Sequence, residues 1–196
     1  MFSMKQICVF TGSSAGSDQE YLAAAQKLGR ALVERQLGLV YGGARVGLMG
    51  ALADAVLAGG GKVTGIIPDA LVSKEVAHVG LSDLRIVPSM HARKAQMAEL
   101  ADGFIALPGG WGTLEEFFEI LTWGQLGLHQ KPCGLLNVRG FFDGLLAFVD
   151  HSIDQGFVRR EHRAMVLVAT SPDEILDRFE RYAPNMIEKW IDVSST

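Results

Sequence analysis

The stretch Phe104 to Glu116, FIALPGGWGTLEE, holds the pattern from which the rest of the chain can be read. Four apolar residues, Phe104 to Leu107, stopped by Pro108-Gly109-Gly110, read as a short buried strand. Beyond the glycines, Leu114, Phe117, Phe118 and Leu121 recur at helical spacing, so the strand passes through a glycine turn into a helix. The same succession occurs twice upstream. Lys5 to Phe10 (KQICVF) runs into Thr11-Gly12-Ser13-Ser14-Ala15-Gly16, followed by a helical stripe of Tyr21, Ala25, Leu28 and Leu32. Leu37 to Tyr41 (LGLVY) runs into Gly42-Gly43-Ala44-Arg45-Val46-Gly47 and a helix through Leu48, Leu52, Ala55 and Val56. Lys62 to Ile67, Leu84 to Val87, Cys133 to Leu136 and Val166 to Ala169 read as four further strands, and Met90 to Ala101 as a further helix. Strands apolar on both faces that alternate with helices belong in a parallel sheet covered on both sides. The expectation is an α/β fold: a doubly wound, mostly parallel sheet with helices on both faces, forming a single domain over residues 1–196. The tail from about residue 184 carries no readable pattern.

Bulk properties narrow the function. The 196 residues are 48% hydrophobic and 20% charged, with a formal net charge of -4 and no basic block. A phosphate track demands clustered Lys and Arg, so neither nucleic acid nor a membrane surface is expected as a partner. An anionic small molecule must instead be held by local groups. Cys8 and Cys133 lie in apolar strands without metal spacing, which predicts two buried reduced thiols and a cytoplasmic location. The start of the chain lacks a signal-peptide core, and no apolar run approaches the length of about 20 residues needed to span a bilayer.

In an open α/β sheet, ligands sit beyond the carboxyl ends of the strands. All three glycine stretches fall there, which makes Gly12, Ser13, Gly42, Gly43, Gly109, Gly110 and Gly112 candidates for holding an anion through backbone N–H groups and helix N-termini. Each loop taken singly is equally well a tight strand-to-helix turn. Thr113 is expected to open the helix after the third loop and to place Glu115 and Glu116 in its first turn. Thr113-x-x-Glu116 then also reads as a capping box. Consecutive helical residues point about 100° apart, so one glutamate can cap while the other faces the crevice. Met90-His91-Ala92-Arg93-Lys94 opens the helix after the fourth strand, on the same edge of the sheet. Arg93 shares a stripe with Gln96, Met97 and Leu100, so it leans inward toward an anion: Glu116 or a substrate phosphate. A solvated Arg-Lys pair is the alternative.

Other chemistries lack their signatures. No GxxxxGK[ST] occurs, and Gly110-x-Gly112 is followed by Glu115 where a dinucleotide fingerprint needs glycine. His78, His91, His129, His151 and His162 show no metal-ligand spacing, so no metal is expected. Gly12-Ser13-Ser14-Ala15-Gly16 has the GxSxG spacing, but no Cys-His or other nucleophile signature accompanies it and no nucleophilic hydrolase is expected. Lys94 could in principle form a Schiff base with pyridoxal phosphate, but nothing else in the chain supports one.

PGGWGTLEE together with MHARK resembles the Lonely Guy family of cytokinin-activating phosphoribohydrolases, long labelled "possible lysine decarboxylase". Residues 108–116 match its PGGxGTxxE pattern at every fixed position, and the likeness extends through FTGSSAG, VYGGARVGLMG, GIIP and TWGQLG to about residue 165. Two departures are Thr11, where a cysteine is common, and Ala44-Arg45 after a glycine pair that is usually a triplet; Arg45 either adds a phosphate contact or points to solvent. The resemblance implies a Rossmann-like fold, no cofactor, a homodimer, and hydrolysis of a purine nucleoside 5′-monophosphate to free base and ribose 5-phosphate. It further implies Arg93 and Glu116 as the catalytic pair. The substrate contacts it implies are Glu75, Lys94, Gly109, Gly110, Trp111, Gly112, Thr113, Leu114, Glu115 and Thr122. The substrate would be AMP or an N6-modified adenine relative. A non-catalytic nucleotide or cofactor carrier on the same fold is the rival, and lysine decarboxylation a more distant one.

Overall fold

The computed structural model describes residues 4–72 and 77–184. All seven strands are present: β1 (Gln6–Phe10), β2 (Gly38–Tyr41), β3 (Val63–Pro68), β4 (Asp83–Val87), β5 (Gly103–Ala106), β6 (Cys133–Leu136) and β7 (Val166–Ala169). They form one parallel sheet in the order β4-β3-β2-β1-β5-β6-β7. The chain builds outward from β1 in one direction, then returns to its other side with β5. The doubly wound architecture expected from the alternating apolar runs is the one observed.

Alternate residues of each strand serve opposite faces, and the core divides accordingly. Ile7 and Val9 of β1 join Leu39, Tyr41 and Ile105 in one apolar cluster. That cluster is covered by α1 (Gln19–Glu34), α2 (Gly47–Ala58) and α7 (Pro172–Glu180), through side chains such as Leu28, Leu52 and Leu176. Cys8 and Phe10 face the other way, with Val40, Phe104 and Leu135, beneath α4 (Met90–Leu100) and α5 (Trp111–Gln125), which contribute Met97, Phe117 and Ile120. Both thiols are free and buried, as their apolar runs imply.

Several elements have no counterpart in the sequence reading: α3 (Asp69–Val72), α6 (Asp143–Asp154) and α7. A signal for α7 was present. Ser171-Pro172-Asp173-Glu174 sets a capping serine, a proline at the first helical position and a glutamate three residues on; Glu174 N–H donates to Ser171 Oγ at 3.3 Å. No helix among the described residues is long and apolar enough to cross a membrane.

Candidate active site

The strand order reverses between β1 and β5, and the loops that follow these two strands meet there. Gly12 N–H and the Thr11 hydroxyl both donate to the Pro108 carbonyl, at 3.1 and 3.2 Å. A side chain at Gly109 would collide with Thr113 Oγ1 and lie 2.8 Å from Gly12 N, so this junction closes only with glycine. The second loop joins from β2: Leu48 N–H donates to Gly12 O at 3.1 Å, and Gly47 packs against the Ser13 backbone. All three glycine loops therefore share one edge of the sheet.

α4 carries Arg93 beneath these loops. Its N-terminus is fixed by Ser89, whose hydroxyl accepts from Ala92 N–H at 3.1 Å. Arg93 is only 5% exposed, in keeping with its place on the inward stripe. One guanidinium nitrogen donates to Gly42 O at 3.2 Å and lies 4.0 Å from Glu116 Oε1; the other terminal nitrogen reaches the Met90 sulfur at 3.7 Å. Nε is buried with no hydrogen-bond partner among the described residues. The guanidinium has five donors and makes one ordinary hydrogen bond among the described residues, which leaves capacity for an anion. A Cβ at Gly42 would fall on the Arg93 guanidinium, which explains the glycine: the cation occupies the space of the missing side chain.

Glu116, 8% exposed, enters from α5. The helix opens two residues earlier than the sequence reading places it. Gly110 is the N-cap in extended conformation, Trp111 is the first helical residue, and the first turn carries no acidic residue. The Thr113 side chain is buried against Gly109, so no Thr113–Glu116 capping box forms. Glu116 is thereby left in the second turn, facing α4. Burial drives the Cys8 thiol well above its ordinary pKa; the Glu116 carboxylate pushes it further up and Arg93 pulls against that, which locates both charges beside the centre of β1.

The helix N-termini differ in a way that bears on ligand binding. α1, α4 and α7 are closed by the side chains of Asp18, Ser89 and Ser171, whereas α2, α5 and α6 have no side-chain cap, and of these three α5 opens at the β1/β5 junction beside Glu116. The N–H groups of Trp111, Gly112 and Thr113 thus begin a helix with the positive end of its dipole open. Apart from chain neighbours and the local helix backbone, no described atom lies within 4 Å of where a Cβ would stand on Gly110 or Gly112.

The remaining residues proposed from sequence are distributed as follows. Gly43, at φ +79°, abuts β3 at Ile66 and Ile67, and its carbonyl accepts from His78 N–H at 2.9 Å. Leu114 packs into the α4/α5 core, and Trp111 stands 89% exposed at the head of α5. Lys94 is buried, with its ammonium between Glu115 and Glu119. Thr122 is exposed and donates to Phe118 O at 2.7 Å; nine residues beyond Thr113, it stands about 14 Å along the helix from the loop. Arg45 is exposed. Glu75 lies outside the described residues. The sequence reading gave Met90, Cys8 and Glu119 no role at the site; Glu119 was foreseeable, since it follows Glu115 by one helical turn. Among the described residues no group of three or more His, Cys, Asp or Glu could hold a metal ion.

Residues 49–179 match the family model described as "Possible lysine decarboxylase". A cytokinin riboside 5′-monophosphate phosphoribohydrolase of Arabidopsis thaliana is 48% identical over 184 residues, covering 94% of this chain and 85% of that protein. One from Oryza sativa subsp. japonica is 48% identical over 180 residues, covering 92% and 74%. The chain belongs to this family. Among solved structures, the molybdenum cofactor carrier protein of Chlamydomonas reinhardtii superposes with a TM-score of 0.69 at 20% identity, covering 91% of this chain and 98% of that one. The molybdenum cofactor binding protein of Rippkaea orientalis gives 0.68 at 22%, covering 92% and 98%. At such identities the two establish the shared fold and nothing about cargo. The family's PGGxGTxxE segment is the one that forms the uncapped head of α5 and places Glu116 opposite Arg93.

Proposed function

We propose that this protein hydrolyses the N-glycosidic bond of a purine nucleoside 5′-monophosphate, AMP or an N6-modified adenine nucleotide, releasing free base and ribose 5-phosphate. The observation that carries this reading is the open head of α5 beside the buried Arg93–Glu116 pair: an anion site and a carboxylate at one crevice. The 5′-phosphate sits on the N–H groups of Trp111, Gly112 and Thr113, with Gly110 and Gly112 allowing close approach. Gly12, Ser13, Gly42 and Gly43 wall the same edge. Cleavage of the C1′–N bond builds positive charge on the ribose, and Glu116 stabilises that oxocarbenium-like state and activates the attacking water. Arg93 orients Glu116 and uses its remaining donors on the substrate. Binding of the remote phosphate then contributes at the reacting centre, so the nucleoside without phosphate is a poor substrate.

The family relationship supports hydrolysis of the glycosidic bond over lysine decarboxylation. A carrier role, which the fold-level neighbours hold under their own names, gains little from a buried carboxylate beside an anion site. We further read the working form as a homodimer in a reducing, cytoplasmic compartment. Support comes from exposed apolar side chains on and after α5 and α6 (Leu126, Leu128, Phe148 and Phe157), and from the two free thiols. Glu75 and Thr122 complete the substrate contacts in this reading.

The test is incubation with AMP and, separately, N6-isopentenyladenosine 5′-monophosphate, with free base followed by chromatography. The matching nucleosides, lysine and a Glu116→Gln variant are the controls. Base release from the monophosphates only, lost in the variant, is expected. Near-normal release by Glu116→Gln overturns the assignment of that carboxylate, and no release by the wild type overturns the reaction.

A further inference from the structure

Two consecutive cations on α4 face three carboxylates on α5, and they share them unequally. Arg93 lies 4.0 Å from Glu116, while Lys94 contacts Glu115 and lies 2.9 Å from Glu119 Oε2. Neighbouring residues on a helix point about 100° apart, so the two sets lie on either side of the line where α4 meets α5. The Lys94 side chain is 8% exposed and that of Glu119 25%, whereas Glu115 is 54% exposed. Burial alone would weaken the Lys94 ammonium, but its hydrogen bonds to Glu115 and Glu119 outweigh this and hold its pKa above the ordinary value. The ammonium is thus held between two carboxylates of α5.

We propose that Lys94 is a positioning residue: it neutralises Glu115 and Glu119, so that the Arg93 guanidinium is turned toward Glu116 and Gly42 and not toward the rest of the acidic turn. The inference rests on the phosphoribohydrolase reading of Arg93 and Glu116, and gives Lys94 a role through them instead of through substrate. Without its charge, Glu115 and Glu119 lose the cation that the structure places on them, and their negative charge stands beside the Arg93–Glu116 pair. Several described groups face Glu116. Arg93 comes from α4 and the Cys8 thiol from β1. The strands β5 and β6 are apolar apart from Cys133, and Arg45 of the second loop is exposed. His162, in the turn packed on α5, bonds Gln125 at that helix's far end. Loss of the Lys94 charge acts on Glu116 through Glu115 and Glu119, whose unneutralised negative charge makes Glu116 harder to ionise. A reaction that needs Glu116 ionised then fails at a higher pH.

The test compares Lys94→Met, Lys94→Arg and Lys94→Met combined with Glu119→Gln in the full-length protein. It measures kcat and KM for AMP across pH, and titrates the Glu116 carboxyl by carbon-13 NMR with Glu116→Gln as the assignment control. Lys94→Met is expected to move the acid limb of kcat and the Glu116 titration upward by about one pH unit, with KM changed less than about twofold. Lys94→Arg restores both, and the added Glu119→Gln restores them in part. A KM raised tenfold or more with an unmoved acid limb would instead make Lys94 a direct phosphate contact and overturn the proposal. Should the wild type release no base, the reaction fails but the NMR titration still decides: a Glu116 carboxyl that ignores Lys94→Met sinks the positioning role. If Lys94→Met does not fold, the converse variant Glu115→Gln/Glu119→Gln, with Lys94 retained, must lower the Glu116 titration, and an unchanged value overturns the idea.

Discussion

The second and third glycine loops look alike in sequence and differ in what their glycines make room for. In the second, the missing side chain of Gly42 is replaced by the Arg93 guanidinium, that of Gly43 by the backbone of β3, and that of Gly47 by the backbone of Ser13. Each of these glycines lets the protein touch itself. In the third, Gly109 behaves the same way, but Gly110 and Gly112 border open space, and neither has a positive φ to require glycine. Gly112 sits in the first turn of α5, where glycine costs up to about 1 kcal/mol relative to alanine. The backbone at Gly112 is therefore left open to approach, as it is at Gly144 in the first turn of α6.

The contrast can be broken most forcefully at Gly42. Gly42→Ala places a methyl group on the Arg93 guanidinium, and we expect kcat to fall on the order of 10²- to 10³-fold, comparable to removal of a charge-stabilising donor. The fold should persist, because the obstructing atoms are the end of a flexible side chain. Steady-state kinetics alongside a thermal melt checks this, and an active Gly42→Ala protein would show that Arg93 need not lie where it does. Gly47→Ala should do the opposite. At φ +57° and against the Ser13 backbone, the added Cβ has no flexible neighbour to displace, so a loss of about 2–3 kcal/mol in urea unfolding is expected. Gly112→Ala sharpens the comparison from the other side. It should stabilise the protein by about 0.5–1 kcal/mol while lowering kcat/KM for AMP about tenfold, since the methyl group takes space meant for substrate. A variant both more stable and fully active would remove the argument for a ligand at that turn.

What the sequence revealed of this contrast was its location, not its nature. The glycine loops could be placed at the carboxyl ends of strands because apolar runs announce a parallel sheet and the fold rule does the rest. Arg93 and Glu116 were legible for a related reason: an arginine on an apolar stripe must find an anion, and FIALPGGWGTLEE resembles a known family segment. The capping box at Thr113 was a misreading. Thr-x-x-Glu has the required spacing, but Gly109 leaves a cavity that takes the Thr113 hydroxyl inward, and that packing depends on Gly12 from a loop 97 residues away. For the same reason the partners of Lys94 and the missing Cβ space at Gly42 were invisible, since both arise where helices and loops distant in sequence come together. Nor did periodicity disclose α6, a helix that buries none of its residues.

The smallest effect we expect lies at the far end of α5, where His129 closes the helix that the third loop opens. Its Nε2–H donates to Ile120 O at 2.8 Å and its Nδ1 accepts from Lys131 N–H at 3.1 Å, which fixes a neutral ring tilted against Phe104. Burial lowers its pKa from the ordinary value of 6.5, Lys131 adds to that, and the Ile120 carbonyl opposes it only in part. Because the folded protein binds this proton less readily than the unfolded chain, the contribution of His129 to stability is intact above about pH 6.5 and is lost as pH falls below it. The Tm should therefore drop more steeply between pH 7 and 5 in the wild type than in His129→Gln. If α5 is held independently at its two ends, kcat/KM for AMP measured at pH 7.5 will be the same in both proteins. A His129→Gln variant with altered activity at that pH would mean that the open turn at Gly110–Gly112 depends on its helix as a whole, and the local distinction between the two loops would then have to be extended along all of α5.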